Sequence, residues 1–218
     1  MTISRRNFLW LALLALAALL YFFWPGARGH YKNLPPTASG PWVAFGDSLT
    51  EGFGAGSGMD YPAQLSKRLG IPIHNLGVSG STSGDGLKRL ADAEALEPSV
   101  VLLCFGGNDV LQGLPRNQMF ANVGTIIDRL HAQGSFVVLI GVRGRGLVGD
   151  ANAKGFKQLA REKEVMHVPN ILDGVLSRPS LMSDYVHPND AGYTEIAARL
   201  EKQLRPLLPK LEASVPGK

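Results

Sequence analysis

Two short stretches of the chain carry residue types that together can cleave an acyl bond. In Gly46-Asp47-Ser48-Leu49-Thr50-Glu51-Gly52 a serine stands in a turn bounded by glycines. Such a serine can expose its Oγ beside a free backbone N–H, which suits a nucleophile. In Ser183-Asp184-Tyr185-Val186-His187-Pro188 a carboxylate and an imidazole stand three residues apart. A neutral imidazole can take the serine proton, and a carboxylate can hold that imidazole in the required tautomer. Ser48, His187 and Asp184 are therefore the candidate nucleophile, general base and orienting acid. Each stretch alone has a plainer reading. Asp47 or Ser48 can simply cap a helix, and Asp-x-x-His can be a loop hydrogen bond or a metal ligand pair. No further His or Cys cluster accompanies the second stretch, which argues against metal.

Two further stretches offer donors for a developing negative charge. Gly80, in Gly77-Val78-Ser79-Gly80-Ser81-Thr82, can present a backbone N–H, and Asn108, in Gly106-Gly107-Asn108-Asp109, a side-chain amide. With the Ser48 N–H they can converge on one oxyanion. Otherwise these are turn glycines and an asparagine that stabilises its own loop. Val110, Leu111 and Leu114 follow Asn108, and Tyr185 and Val186 flank His187, so apolar side chains neighbour the candidate site. They suit an acyl chain, and they equally suit closure of the domain edge. Arg143 and Arg145 read as solvated loop charges, with an anionic substrate group as the alternative. His30, His74, His131 and His167 lack a partner pattern and read as structural or exposed. Cys104, the single cysteine, lies in an apolar run and reads as core filler.

The elements that must position these residues alternate between short apolar runs and amphipathic stretches, the pattern of a parallel sheet covered by helices on both faces. Strands are predicted over 42–45, 71–76, 99–105, 136–142 and 165–168. Helices are predicted over 61–69, 86–95, 119–133, 152–162 and 191–207. In the third helix Met119, Phe120, Val123, Ile126, Ile127 and Leu130 recur at spacings of 3 and 4, and Gly134 follows as a left-handed cap. Ligands of open parallel sheets bind beyond the carboxyl ends of the strands. Ser48, Gly80 and Asn108 each follow a predicted strand, and Asp184 and His187 precede the last helix.

The length of 218 residues suits one domain with an extension, and 45% apolar content supplies a core. The net charge of +4 is concentrated in Arg5, Arg6 and Arg28, leaving 19 basic against 18 acidic residues beyond position 30. So neutral a body lacks the basic footprint of nucleic-acid binding. Residues 1–30 combine a basic start with the uncharged run 8–24 and are expected to be an export signal or membrane anchor. An anchor would leave the N-terminus cytoplasmic and the body on the periplasmic side. Residues 31–40 read as a linker, 41–211 as the domain and 212–218 as a tail.

With these blocks in order across residues 41–207, the chain resembles the SGNH, or GDSL, hydrolases, and among them the small bacterial arylesterase, acyl-CoA thioesterase I and lysophospholipase group. The resemblance implies a flavodoxin-like three-layer α/β/α sandwich around five parallel strands. It also implies a Ser48, His187 and Asp184 triad, an oxyanion hole from Ser48, Gly80 and Asn108, and no metal or organic cofactor. One block departs from the pattern: the family often has Gly-Asp-Thr where this chain has Gly80-Ser81-Thr82. The ordinary α/β-hydrolase elbow, G-x-S-x-G, does not occur here. The expected activity is hydrolysis of small-molecule carboxylic esters through an acyl-enzyme, extending to thioesters or lysophospholipids. The alternatives are an O-acetylesterase of cell-wall or extracellular glycans and a membrane-tethered, non-catalytic binding module.

Overall fold

The computed structural model describes residues 30–142 and 150–212. The expected signal or anchor, the loop with Arg143 and Arg145, and residues 213–218 lie outside the described residues. The chain divides into two compact units, Met1–Tyr31 and Lys32–Lys218, and the fold is that of the second. Among the described residues no helix is long and apolar enough to cross a membrane.

Strand β1 (Gly40–Gly46) runs into a single-turn helix α1 (Ser48–Glu51) and then α2 (Tyr61–Leu69). β2 (Ile73–Gly77) is followed by α3 (Ser83–Lys88) and α4 (Leu90–Glu94), and β3 (Pro98–Cys104) by α5 (Gly107–Leu111) and α6 (Arg116–Ala132). β4 (Phe136–Ile140) leads to α7 (Asp150–Glu162), and β5 (Met166–Val168) through a long connection to α8 (Asp190–Leu204) and α9 (Leu208–Leu211). The strands form one five-stranded sheet in the order β2-β1-β3-β4-β5, every pairing parallel. This is the expected doubly wound, flavodoxin-like α/β arrangement, whose switch point lies between β1 and β3.

Side chains alternate across a strand, and the core divides accordingly. Val43, Phe45, Val101, Leu103, Val137 and Leu139 face one way and pack with Leu90 of α4, with Met119, Val123, Ile126, Ile127 and Leu130 of α6, and with Phe156 and Leu159 of α7. Burial of each large side chain contributes roughly 1.5–3 kcal/mol. The opposite face carries Cys104, near which lie Tyr61 of α2 and Tyr193 of α8. Cys104 is fully buried, and burial pushes its thiol pKa up.

The differences from the predicted elements have local causes. The helix expected over 86–95 is two helices, broken at Arg89. The Arg89 guanidinium donates to Gly46 O at 2.6 Å and Leu76 O at 2.8 Å, pinning the ends of β1 and β2. Strand β2 starts at Ile73 because Pro72 has no N–H to give the ladder. The last long helix stops at Leu204, just before Arg205-Pro206. The single-turn α1 and short α5 carry no readable periodicity.

The stretch expected as a linker is bonded to the body. Lys32 N–H donates to Glu164 O, and Thr37 and Ala38 N–H both donate to Gly134 O. Asn33 Nδ2 donates to His131 O and Ser135 O, each at 3.0 Å. Gly134 ends α6 at φ +91°, as the sequence predicts, and a Cβ there would fall 2.0 Å from Thr37 Oγ1. At the amino edge of the sheet, Gly40, Trp42 and Ser99 share a cavity of about 370 Å3 with Pro209, Leu211 and Glu212. The carboxyl end of the described domain thus lies beside the start of β1 at that edge.

Candidate active site

Ser48 opens α1 directly beyond β1. Asp47 before it has extended backbone and accepts the Leu49 N–H at 3.1 Å, so the expected capping role belongs to Asp47. Gly52 and Phe53 N–H both donate to Ser48 O at 3.0 Å. These bonds fix the serine backbone and leave Ser48 only 9% exposed.

Asp184 and His187 stand on a loop closed by an antiparallel bridge between Met182 and Pro188. Ser183 N–H donates to His187 O at 2.9 Å. Inside the loop Asp184 Oδ1 accepts the Val186 and His187 N–H groups, each at 2.7 Å. Its other oxygen lies 2.8 Å from His187 Nδ1, and His187 Nε2 lies 3.0 Å from Ser48 Oγ. Although partial burial acts to raise the Asp184 pKa, the bonds from the His187 ring and from the His187 and Val186 amides outweigh it, and the pKa is lowered. An ionised carboxylate can only accept, so Nδ1 carries a hydrogen toward Asp184, and in the neutral ring that tautomer has Nε2 as the acceptor facing Ser48 Oγ. The Phe53 ring lies over the imidazole with centroids 4.5 Å apart, and Tyr193 Oη holds the Phe53 carbonyl at 2.9 Å.

The loops after β2 and β3 meet beside this relay. Asn108 Nδ2 donates to Ser81 O at 3.0 Å, which ties it to the residue after Gly80. Among the described residues neither the Ser48 nor the Gly80 N–H donates to a protein group, so both are available to a ligand. Gly80 has φ +78°. No group of three or more His, Cys, Asp or Glu suited to a metal occurs among the described residues.

The apolar residues separate into two groups. Val110 packs against the core cluster, as closure of the domain edge requires, whereas Leu111 and Leu114 are exposed and Tyr185 is 99% exposed. Val186 is half-buried. Tyr185 joins Leu176, Pro179, Met182, Ser183 and Asp184 around a cavity of about 530 Å3. Away from the site, burial lowers the His131 pKa to about 4.

Sequence reasoning missed Glu51, Phe53, Asp109 and Arg89, and it saw Asp47 only as a cap. Burial raises the Asp47 pKa to about 7, helped by the Asp109 charge and opposed by the Leu49 amide. Asp109 adjoins Asn108 in sequence, which was the one available signal.

A serine, an imidazole and a carboxylate thus stand in line at the carboxyl edge of a doubly wound sheet. The chain belongs to the GDSL-like lipase/acylhydrolase family, whose profile matches residues 44–194. It is 31% identical over 178 residues to the esterase TesA of Pseudomonas aeruginosa, covering 76% of this chain and 88% of that one. It is 30% identical to the thioesterase 1/protease 1/lysophospholipase L1 of Escherichia coli K12, over 76% of this chain and 84% of that one. A crystal structure of TesA superposes with a TM-score of 0.72 at 28% identity, over 77% of this chain and 99% of that one.

Proposed function

We propose that the chain is a serine esterase in which Ser48 is the nucleophile, His187 the general base and acid, and Asp184 the orienting carboxylate. The observation that carries this reading is the unbroken relay, 3.0 Å from Ser48 Oγ to His187 Nε2 and 2.8 Å from His187 Nδ1 to Asp184 Oδ2. Ser48 Oγ attacks the ester carbonyl carbon while Nε2 takes its proton. The negative oxygen of the tetrahedral intermediate is met by the Ser48 N–H, the Gly80 N–H and the second hydrogen of the Asn108 amide. His187 then returns the proton to the leaving alcohol, and an acyl-Ser48 intermediate remains. A water activated by His187 hydrolyses it and restores the serine.

The substrates we propose are acyl or aryl carboxylic esters. The P. aeruginosa relative is named an esterase, and the E. coli relative carries thioesterase and lysophospholipase in its name, so thioesters and lysophospholipids extend the class. The apolar side chains of Leu176, Pro179, Met182 and Tyr185 around the 530 Å3 cavity suit an acyl group. On the composition of residues 1–30 the place of action is outside the cytoplasm. Fractionation and the N-terminal mass of the mature protein test that assignment.

Hydrolysis of a p-nitrophenyl ester series by the full chain, with Ser48→Ala alongside, tests the catalytic reading. Turnover is expected to peak above acetate and to fall at least ~10³-fold in the alanine variant, with stability within about 1 kcal/mol of the parent. Activity on acetate alone would shift the assignment to an O-acetylesterase. Folded protein inactive on every ester, or an alanine variant that retains turnover, would overturn the reading.

A further inference from the structure

Two of the donors proposed for the oxyanion come from different strand ends, Ser48 N–H from α1 beyond β1 and Gly80 N–H from the loop beyond β2. Their separation has to be held to a few tenths of an ångström for both to reach one oxygen. One end of the Gly80 loop is held by Val78 N–H to Gly46 O at 3.1 Å, and the other by Asn108 Nδ2 to Ser81 O at 3.0 Å. Ser81 N–H donates to Val78 O at 3.2 Å and closes the turn around Gly80, and a Cβ built on Gly80 would meet nothing within 4 Å. The middle of the loop is held by Glu51.

Glu51 is the last residue of α1, one turn from Ser48, and its Oε2 accepts both donors of Ser79. The Ser79 N–H lies at 2.7 Å, and the Ser79 hydroxyl donates to the same oxygen. Glu51 is anchored in turn, its N–H donating to Asp47 O at 2.9 Å. Asn75 Nδ2 donates to Thr50 O at 2.8 Å and reaches Glu51 O at 3.4 Å. The end of β2 can close on this turn only because residue 77 is glycine, since a Cβ there would lie 2.0 Å from Glu51 N. One carboxylate therefore spans from the helix of the nucleophile to the residue whose peptide carries the Gly80 N–H. Charge-assisted bonds of this kind are about twice as strong as neutral ones, which suits an exposed tether.

We propose that Glu51 is a positioning residue for catalysis, holding the Gly80 donor in register with Ser48 through Ser79. The proposal rests on the reading of Ser48, Gly80 and Asn108 given above. Because the oxyanion exists only after attack, loosening one donor lowers kcat and leaves ground-state binding nearly untouched.

The test compares Glu51→Ala, Glu51→Gln and Ser79→Ala in the full chain, with Ser48→Ala as the blank. Complete loss of one oxyanion donor costs roughly 10²–10³ in kcat, and a donor that is loosened but present loses part of that. Glu51→Ala is therefore expected to lower kcat about tenfold with KM changed less than about twofold. Glu51→Gln keeps an acceptor oxygen and removes the charge, and it is expected to recover kcat to within about threefold of the parent. A second readout needs no substrate: amide hydrogen exchange at Ser79, whose N–H is bonded to Glu51, accelerates in Glu51→Ala and far less in Glu51→Gln. Unchanged exchange in Glu51→Ala would overturn the tether. Accelerated exchange with unchanged kcat, or a raised KM with kcat intact, would overturn its catalytic role. A parent chain without esterase activity would instead overturn the reading of Ser48, while the exchange data would still report whether Glu51 holds Ser79.

Discussion

Ser83 and Asp109 are bonded to each other twice, the Ser83 N–H donating to Asp109 Oδ2 at 2.8 Å and the Ser83 hydroxyl to Oδ1 at 2.5 Å. Both residues are buried, at 0% and 2% exposure, so neither can exchange its partner for water. The pair joins the start of α3 to α5, and so joins the segments that carry Gly80 and Asn108. Ser83 Oγ also receives the Asn122 amide at 3.1 Å, which extends the link to α6.

Removal of the carboxylate should be costly on that account. Asp109→Ala leaves two buried donors without an acceptor and is expected to cost about 2–4 kcal/mol in urea unfolding, since charge-assisted bonds contribute roughly 1.5–3 kcal/mol and stranded donors add to the loss. Ser83→Ala removes the hydroxyl that donates to Oδ1 and accepts from Asn122 but keeps the Ser83 N–H bond to Oδ2, and it should cost less, roughly 1–2 kcal/mol. Equal effects of the two changes, or an Asp109→Ala loss below about 0.5 kcal/mol, would contradict this account.

Asp184→Asn tests the acid of the relay. The Val186 and His187 amides can keep bonding to the retained oxygen, but an asparagine NH2 facing Nδ1 moves the ring hydrogen to Nε2, where it faces Ser48 Oγ. Turnover of a p-nitrophenyl ester should fall roughly 10³–10⁴-fold. KM should change little, and so should stability, because the side chain is 42% exposed. A loss under tenfold would show that the tautomer is set by something other than Asp184.

Asp47 makes a prediction about pH. Its pKa is raised by burial to about 7 in the folded chain from an ordinary value of 3.8. The folded state therefore keeps a proton that the unfolded state releases. This contribution to stability is complete below about pH 4 and is lost as pH rises through 7. Asp47→Asn keeps the cap and has no titration. Its stability relative to the parent should improve by about 2–4 kcal/mol between pH 4 and pH 8 in denaturant titrations. A difference that is flat with pH would mean that Asp47 is ionised in the folded protein.

The residues legible in the sequence and those that were not differ in what makes them recognisable. Ser48, Gly80 and Asn108 follow apolar runs that announce strand ends, and Asp184 and His187 lie close enough to be read as a pair. Glu51 and Asp109 are as near to the site, yet their partners lie 28 and 26 residues away. Nothing local separates them from solvated acids, because the parallel crossover sets the pairing. Val110 and Leu111 illustrate the same limit. They are neighbours in sequence and both apolar, but the short helix α5 turns one to the core and leaves the other exposed. Arg89 reads as a routine helix residue, whereas its guanidinium ends the helix by reaching two strand carbonyls.

The position of both domain ends on the amino side of the sheet, Lys32 beside Glu164 and Glu212 beside Gly40, bears on how the enzyme can be handled. Ser48 lies at the carboxyl edge of β1, across the full length of the strand from Gly40 and from the cavity shared with Leu211. A linker or second module fused directly before Lys32 or after Glu212 would leave from the amino side of the sheet, opposite Ser48. Coupling of that domain to a bead or an electrode at either of these positions would leave the edge with Ser48 facing away from the support.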